Sequence, residues 1–171
     1  MNLMALFSFF KKKKEVEIDF LNEKDQRKII SSGILFEDAG KLLKWGSPVK
    51  ELALSVGVKE KIFADRTVYN WGEHTILNGL KLAVTTTFWN HKEESRDKRF
   101  NTIEFSVVGN EEADRFLKLI TAHIEGQLGP PGNKDITETE VTLKWMINGV
   151  ELKLHFLEKH ASKLHFEISK V

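Results

Sequence analysis

Three histidines near the C-terminus, His155, His160 and His165, are the first residues whose types and spacing suggest chemistry. Strands repeat every second residue, so His155 and His165 share an outward face if a tight turn joins two strands between them. Directly opposed imidazoles can share an ion. A zinc site, however, needs a third and usually a fourth ligand. The same face offers Glu151, Lys153, Lys163 and Glu167, a mixed pattern that water alone satisfies, and His160 falls in the turn. No metal ligand set is therefore expected.

The other candidates for chemistry are more isolated. His74, His91 and His123 each stand alone, and His123 flanks the apolar stripe of a helix. No G-x-S-x-G elbow, H-E-x-x-H pair, phosphate loop or dinucleotide fingerprint occurs. Gly126, Gly129 and Gly132 follow a helix rather than open one, so they cannot aim a helix N-terminus at phosphate. The acidic pairs Glu93/Glu94 and Glu138/Glu140 have the groups for acid–base work. Nothing around them in the sequence raises a carboxyl pKa, and solubility explains them more simply. With no Cys in the chain, thiolate ligands, disulfides and cysteine nucleophiles are absent together. No catalytic residue and no cofactor are expected.

Binding chemistry is better represented. Trp89 is out of phase with Phe88 and adjoins a charged segment, residues 90–99, containing His91, Arg96 and Arg99. An outward Trp beside Arg is the composition of a protein-binding hot spot. The plainer alternative is an aromatic strand edge covered by another element. Trp45 and Trp145 read as core. At the N-terminus, Leu3, Leu6, Phe7 and Phe10 would form one stripe on a helix, followed by Lys11, Lys12, Lys13 and Lys14. Short apolar insertion plus clustered Lys suits an anionic membrane surface. The alternative is a terminus packed on the domain with solvated lysines. A secretory signal has the reverse order of charge and apolar run.

The elements that must position these residues follow from periodicity. Val16, Ile18 and Phe20 alternate as a short strand; residues 23–32 read as a helix stopped by Gly33. Phe36, Ala39 and Leu43 share a helical face and predict a second helix over 36–44. Ser47 and Pro48 open a short helix closing near Gly57. From Thr67 the period becomes two: Val68–Trp71 is one strand and Thr75–Leu77 begins another. Leu80, Leu82, Val84, Thr86 and Phe88 line one face of a long strand, answered by Ile103, Phe105 and Val107. Gly109 and Asn110 precede the best helix, whose face is Ala113, Phe116, Leu117, Ile120 and Ile124, with Glu111 and Glu112 at its positive end. Three strands end the chain, with Asn148-Gly149 as a type I′ hairpin signal between the first two.

An internal echo runs through this pattern. Trp45-Gly46-Ser47-Pro48, Trp71 and Asn78-Gly79 are answered by Leu128-Gly129-Pro130-Pro131, Trp145 and Asn148-Gly149. The expected architecture is α+β: antiparallel sheet from two similar halves, each a helix plus a three-stranded meander, with the helices packed on one face. Residues 1–14 form a tail, 15–109 the first half and 110–171 the second. Duplication explains the echo, and so does shared turn chemistry. The 171 residues are 41% hydrophobic and 30% charged, with a formal charge of +1. That is ordinary globular composition, and it argues against a dedicated nucleic-acid binder.

The run M-x-x-F-x-F-F-K-K-K-K from Met4, the W-G-x-P and L-G-x-P loops, and W-x-x-N-G-V from Trp145 together give the chain a recognisable texture. It resembles the immunity proteins that guard bacteria against polymorphic, contact-delivered toxins. The resemblance is one of style over the whole length, without a diagnostic motif. It implies residence in the cytoplasm, no enzymatic activity and a toxin domain as partner, and it transfers no functional residue. Two other expectations stand beside it: a membrane-surface accessory protein peripheral to the inner membrane, and a hydrolase of uncatalogued type.

Overall fold

The computed structural model describes residues 23–89, 98–158 and 161–171. Helix α1 (Gln26–Ser32) starts where the Asp25 carboxylate accepts the Arg27 N–H, and ends at Gly33. Strands β1 (Gly33–Phe36) and β2 (Lys41–Lys44) pair as a small hairpin. Helix α2 (Val49–Ser55) follows Pro48. Strands β3 (Glu60–Ile62), β4 (Arg66–Ile76), β5 (Leu80–Trp89) and β6 (Thr102–Val108) then form a meander. The long helix α3 (Asn110–Leu128) leads to a second meander: β7 (Asn133–Ile136), β8 (Glu140–Ile147), β9 (Val150–Leu157) and β10 (Lys163–Lys170).

Eight strands make one antiparallel sheet in the order β3-β4-β5-β6-β10-β9-β8-β7. Two meanders thus join edge to edge through β6 and β10, the last strand of each. This is the expected α+β architecture with antiparallel sheet; the first half also holds a second helix and a separate two-stranded hairpin that the second half lacks. Alternation decides which face is buried. Leu82, Val84, Ile103, Phe105, Leu164, Phe166, Leu152, Leu154, Leu143 and Trp145 all point inward and are buried. Helix α3 lies on this face against β6, β9 and β10, α1 lies against α3 and β8, and β1 packs on β4. Ala113, Ile120 and Ile124 of α3 are buried there, with Phe116 and Leu117 partly so.

One element differs in kind from the sequence expectation. Residues 36–44 form a hairpin, not a helix. Gly40 adopts φ 60° and closes the turn after Phe36, while Thr75 donates its backbone N–H to the Asp38 carboxylate at 2.9 Å. Phe36 and Leu43, read as one helical face, are instead buried on two short strands. Val68–Trp71 and the start of Thr75–Leu77, read as two strands, belong to a single strand, β4, which ends at Ile76 and whose register against β5 shifts between Asn70 and Gly72. The Asn148-Gly149 turn is as expected: Ile147 pairs with Val150, and both turn residues have positive φ, 48° and 76°. Its counterpart between β4 and β5 is one residue longer, Leu77–Gly79.

Candidate functional site

The inward face of the sheet is covered by the helices; the outward face carries the chemistry. Its register sets the neighbours. Thr142, His155, His165 and Ser106 form one row across β8, β9, β10 and β6. Two residues along, Lys144, Lys153, Glu167 and Glu104 form the next, continued by Thr85 of β5.

His155 and His165 are directly opposite, as the strand period requires, but they do not share a centre. His155 Nε2 lies 2.9 Å from Glu140 Oε1. His165 Nδ1 lies 2.7 Å from Ser106 Oγ, and its Nε2 is 3.5 Å from Glu167 Oε2. No group of three or more His, Asp or Glu side chains able to hold a metal occurs among the described residues. His160 lies outside them.

Ser106, His165 and Glu167 have the order nucleophile, base and orienting carboxylate. His165, by hydrogen bonding, holds the Glu167 carboxyl below its ordinary range; burial opposes this and Ser169 assists it. Acyl transfer also needs N–H donors aimed at a developing oxyanion. The register between β6 and β10 runs unbroken from Lys163/Val108 to Ser169/Thr102, so the backbone here is engaged in the ladder. The trio serves better as a polar lattice that fixes β10 on β6.

Glu104 is half-buried opposite Glu167. Burial pushes its carboxyl above the ordinary range, Glu167 adds to the rise, and His165 partly offsets it. On the other side of the row, a groove of about 330 Å³ is lined by Asn133, Asp135, Glu140, Thr142, Lys144, Lys153 and His155.

At the corner of the same face, Arg66 of β4 pairs across the ladder with Trp89 of β5. The Arg66 guanidinium lies 5.3 Å from the Trp89 ring centre and 4.9 Å from that of Phe63. Asp65 holds it at 2.9 Å. Trp89 is 40% exposed, Phe63 45% and Ile62 73%, so the outward placement expected of Trp89 is found. The sequence reading missed Ile62, Phe63 and Arg66. Their signal was available only as an exposed apolar pair beside an Arg, without the strand pairing that brings Trp89 to it.

The remaining candidates are dispersed. Arg99 forms a bridge with Pro48, and its Nη1 donates to the Gly46 carbonyl at 3.3 Å, which sets it at the start of α2. His91 and Arg96 lie outside the described residues, as do Phe7, Phe10, Lys11, Lys12, Lys13 and Lys14. His74 stacks on Phe36 at 3.9 Å and bonds Asp38 and the Trp71 carbonyl, and His123 Nε2 meets the Leu77 carbonyl at 2.7 Å. Both are structural clamps. Glu140 pairs with His155, while Glu138 lies exposed before β8. No helix among the described residues is long and apolar enough to cross a membrane. No family model, curated protein or solved structure matches the chain.

Proposed function

We propose that the protein is a non-enzymatic protein-binding module whose principal contact is the corner built by Arg66, Phe63 and Trp89. The observation that carries this reading is the placement of the Arg66 guanidinium over both exposed rings. Trp and Arg dominate the energetics of protein interfaces. An Arg already ordered by two rings and by Asp65 loses little freedom when a partner arrives, which lowers the cost of binding. Ile62 widens the apolar part of the patch, and residues 90–97 follow directly on Trp89 in the chain.

The resemblance to immunity proteins supports a toxin domain as the partner and inhibition as the outcome. The test has two stages. A protein captured from the native host by the wild type is expected to be lost by R66A/W89A at unchanged thermal stability; equal capture overturns the assignment of this corner. The captured protein, expressed alone, is then expected to arrest growth and to be neutralised by co-expression of this chain. A harmless partner overturns the inhibitor reading while leaving the binding reading intact.

A further inference from the structure

The row Lys144, Lys153, Glu167, Glu104 is segregated: two cations side by side, then two carboxylates, each directly opposite the next across four strands. Cross-strand electrostatics favours alternation, and like charges placed directly opposite destabilise a sheet. Only the central pair, Lys153 with Glu167, is of opposite sign. Lys144 turns to its diagonal neighbour Glu151 at 3.7 Å. Among the described residues neither Lys153 nor Glu104 forms a hydrogen bond or close ion pair, although Lys153 acts electrostatically on Glu167 and His165 on Glu104. Glu104 is moreover half-buried, where a charge kept only for solubility has no reason to sit. Local rules broken on an otherwise regular sheet point to functional or strained positions.

We propose that this row docks a polypeptide segment of bipolar charge, acidic over Lys144 and Lys153 and basic over Glu167 and Glu104. Charge complementarity selects this occupant. A small anion would answer the two lysines and leave Glu104 unpaired; a uniformly acidic segment would be repelled by the carboxylate half. Strands lie about 4.8 Å apart, so four span roughly 14 Å, and about ten residues of helix cover that length. Asn133 and Thr142, beside the lysines in the groove, supply neutral hydrogen-bonding groups at the acidic end of the segment, and of the two carboxylates in the same lining, Asp135 and Glu140, the second is held by His155. Thr85 continues the row on β5, and Trp89 stands four residues further along that strand on the same face. The proposal therefore deepens the protein-binding reading, and rests on it only in taking this face as the contact surface.

The test uses the full chain and two synthetic helical peptides of identical composition. One has a Glu block followed by a Lys block; in the other the two residues alternate. At low salt the block peptide is expected to bind roughly ten-fold more tightly. A spin label on its acidic end is expected to broaden the amide resonances of Lys144 and Lys153 and spare those of Glu104 and Glu167. The variant K144E/K153E/E104K/E167K is expected to reverse that pattern. Equal affinity for the two peptides, or broadening without preference in the wild type, overturns the proposal even if the fourfold variant does not fold. Displacement of the block peptide by inorganic phosphate at unchanged ionic strength also overturns it, in favour of an anion site. Loss of binding in W89A alone would assign the contact to the Arg66 corner and reject the row.

Discussion

His155 and His165 stand directly opposite one another on β9 and β10, yet each turns to a different carboxylate, Glu140 for the first and Glu167 for the second. Two imidazoles at this separation invite a shared ion, but here each is already oriented by its own strand neighbours. The consequence is a sheet face of paired side chains around the half-buried Glu104, which forms no hydrogen bond or close ion pair among the described residues. That arrangement determines how the molecule should respond to acid.

Glu104 and Glu167 are expected to oppose each other in their pH dependence. Burial raises the Glu104 carboxyl above its unfolded value, so the folded state holds that proton more tightly. Stability from this group is full below the unfolded value of about 4.3 and falls as pH rises through the raised folded value. E104Q should therefore raise Tm at pH 7.5 by about 1–3 °C and give no gain near pH 4. Glu167 is lowered, first by its hydrogen bond from His165, so its contribution is present above the unfolded value and is lost as pH falls through the folded one. Thermal melts of E104Q and E167Q from pH 3 to pH 8 check the two signs independently.

The sole tyrosine provides a second titration. Tyr69 is buried, and its hydroxyl donates to Glu60 Oε2 at 2.8 Å. Burial first, then the Glu60 carboxylate, raises the phenol far above its ordinary value. Absorbance at the phenolate band should show no ionisation step until the protein unfolds. Above about pH 10 the unfolded chain releases this proton and the folded chain keeps it, so stability should fall with rising pH. Y69F should abolish the phenolate signal and cost about 1 kcal/mol. A phenolate step in the folded protein near pH 10 would contradict the burial and the hydrogen bond together.

What could be read from the sequence divides along the range of the interactions. β8, β9 and β10 were legible because alternation is sustained over eight residues in each and Asn148-Gly149 fixes one turn chemically. The opposition of His155 and His165 followed from the same local register. β3 and β7 were not legible. They have three and four residues and little apolar content, and β4 and β8 make them strands by offering hydrogen bonds. The hairpin at 33–44 was misread because four-residue strands are too short to display a period, while Phe36 and Leu43 happen to lie a helical interval apart. Ser106 and Glu104 beside His165 and Glu167 depend on pairing between β6 and β10, which nothing local encodes. Arg66 meets Trp89 only through a register that shifts at Asn70/Gly72, so that neighbour was invisible as well.

Gly33 offers a test of the misread hairpin. It links α1 to β1 in an extended conformation, so the requirement for glycine is one of space and not of backbone torsion. A Cβ at this position would run into the Leu43 carbonyl oxygen and the Lys44 Cα, both backbone atoms that cannot rotate away. G33A should therefore separate β1 from β2 and cost about 2–4 kcal/mol. If residues 36–44 were helical instead, Ala at position 33 would be tolerated within about 0.5 kcal/mol. Urea unfolding of the single variant distinguishes the two.

Trp145 tests how the second meander is fastened to α3. Its ring is 3% exposed on β8, and Nε1 donates to the Gly129 carbonyl at 2.9 Å, just past the end of the helix. Trp45 is tied in the same manner to the Ile30 carbonyl of α1 at 2.7 Å. Replacing Trp145 by Phe removes both the donor and part of the ring. The Gly129 carbonyl loses its partner, and the smaller ring leaves a void that close-packed neighbours fill only in part. W145F should cost about 2–3 kcal/mol, and amide exchange should quicken at residues 125–129 more than at β5. The contrast is what matters: a purely volumetric loss would spread over the core around Trp145, whereas loss of the tether should appear first at the C-terminal turn of α3. Uniform acceleration across the sheet would reject the tether and leave Trp145 as filler alone.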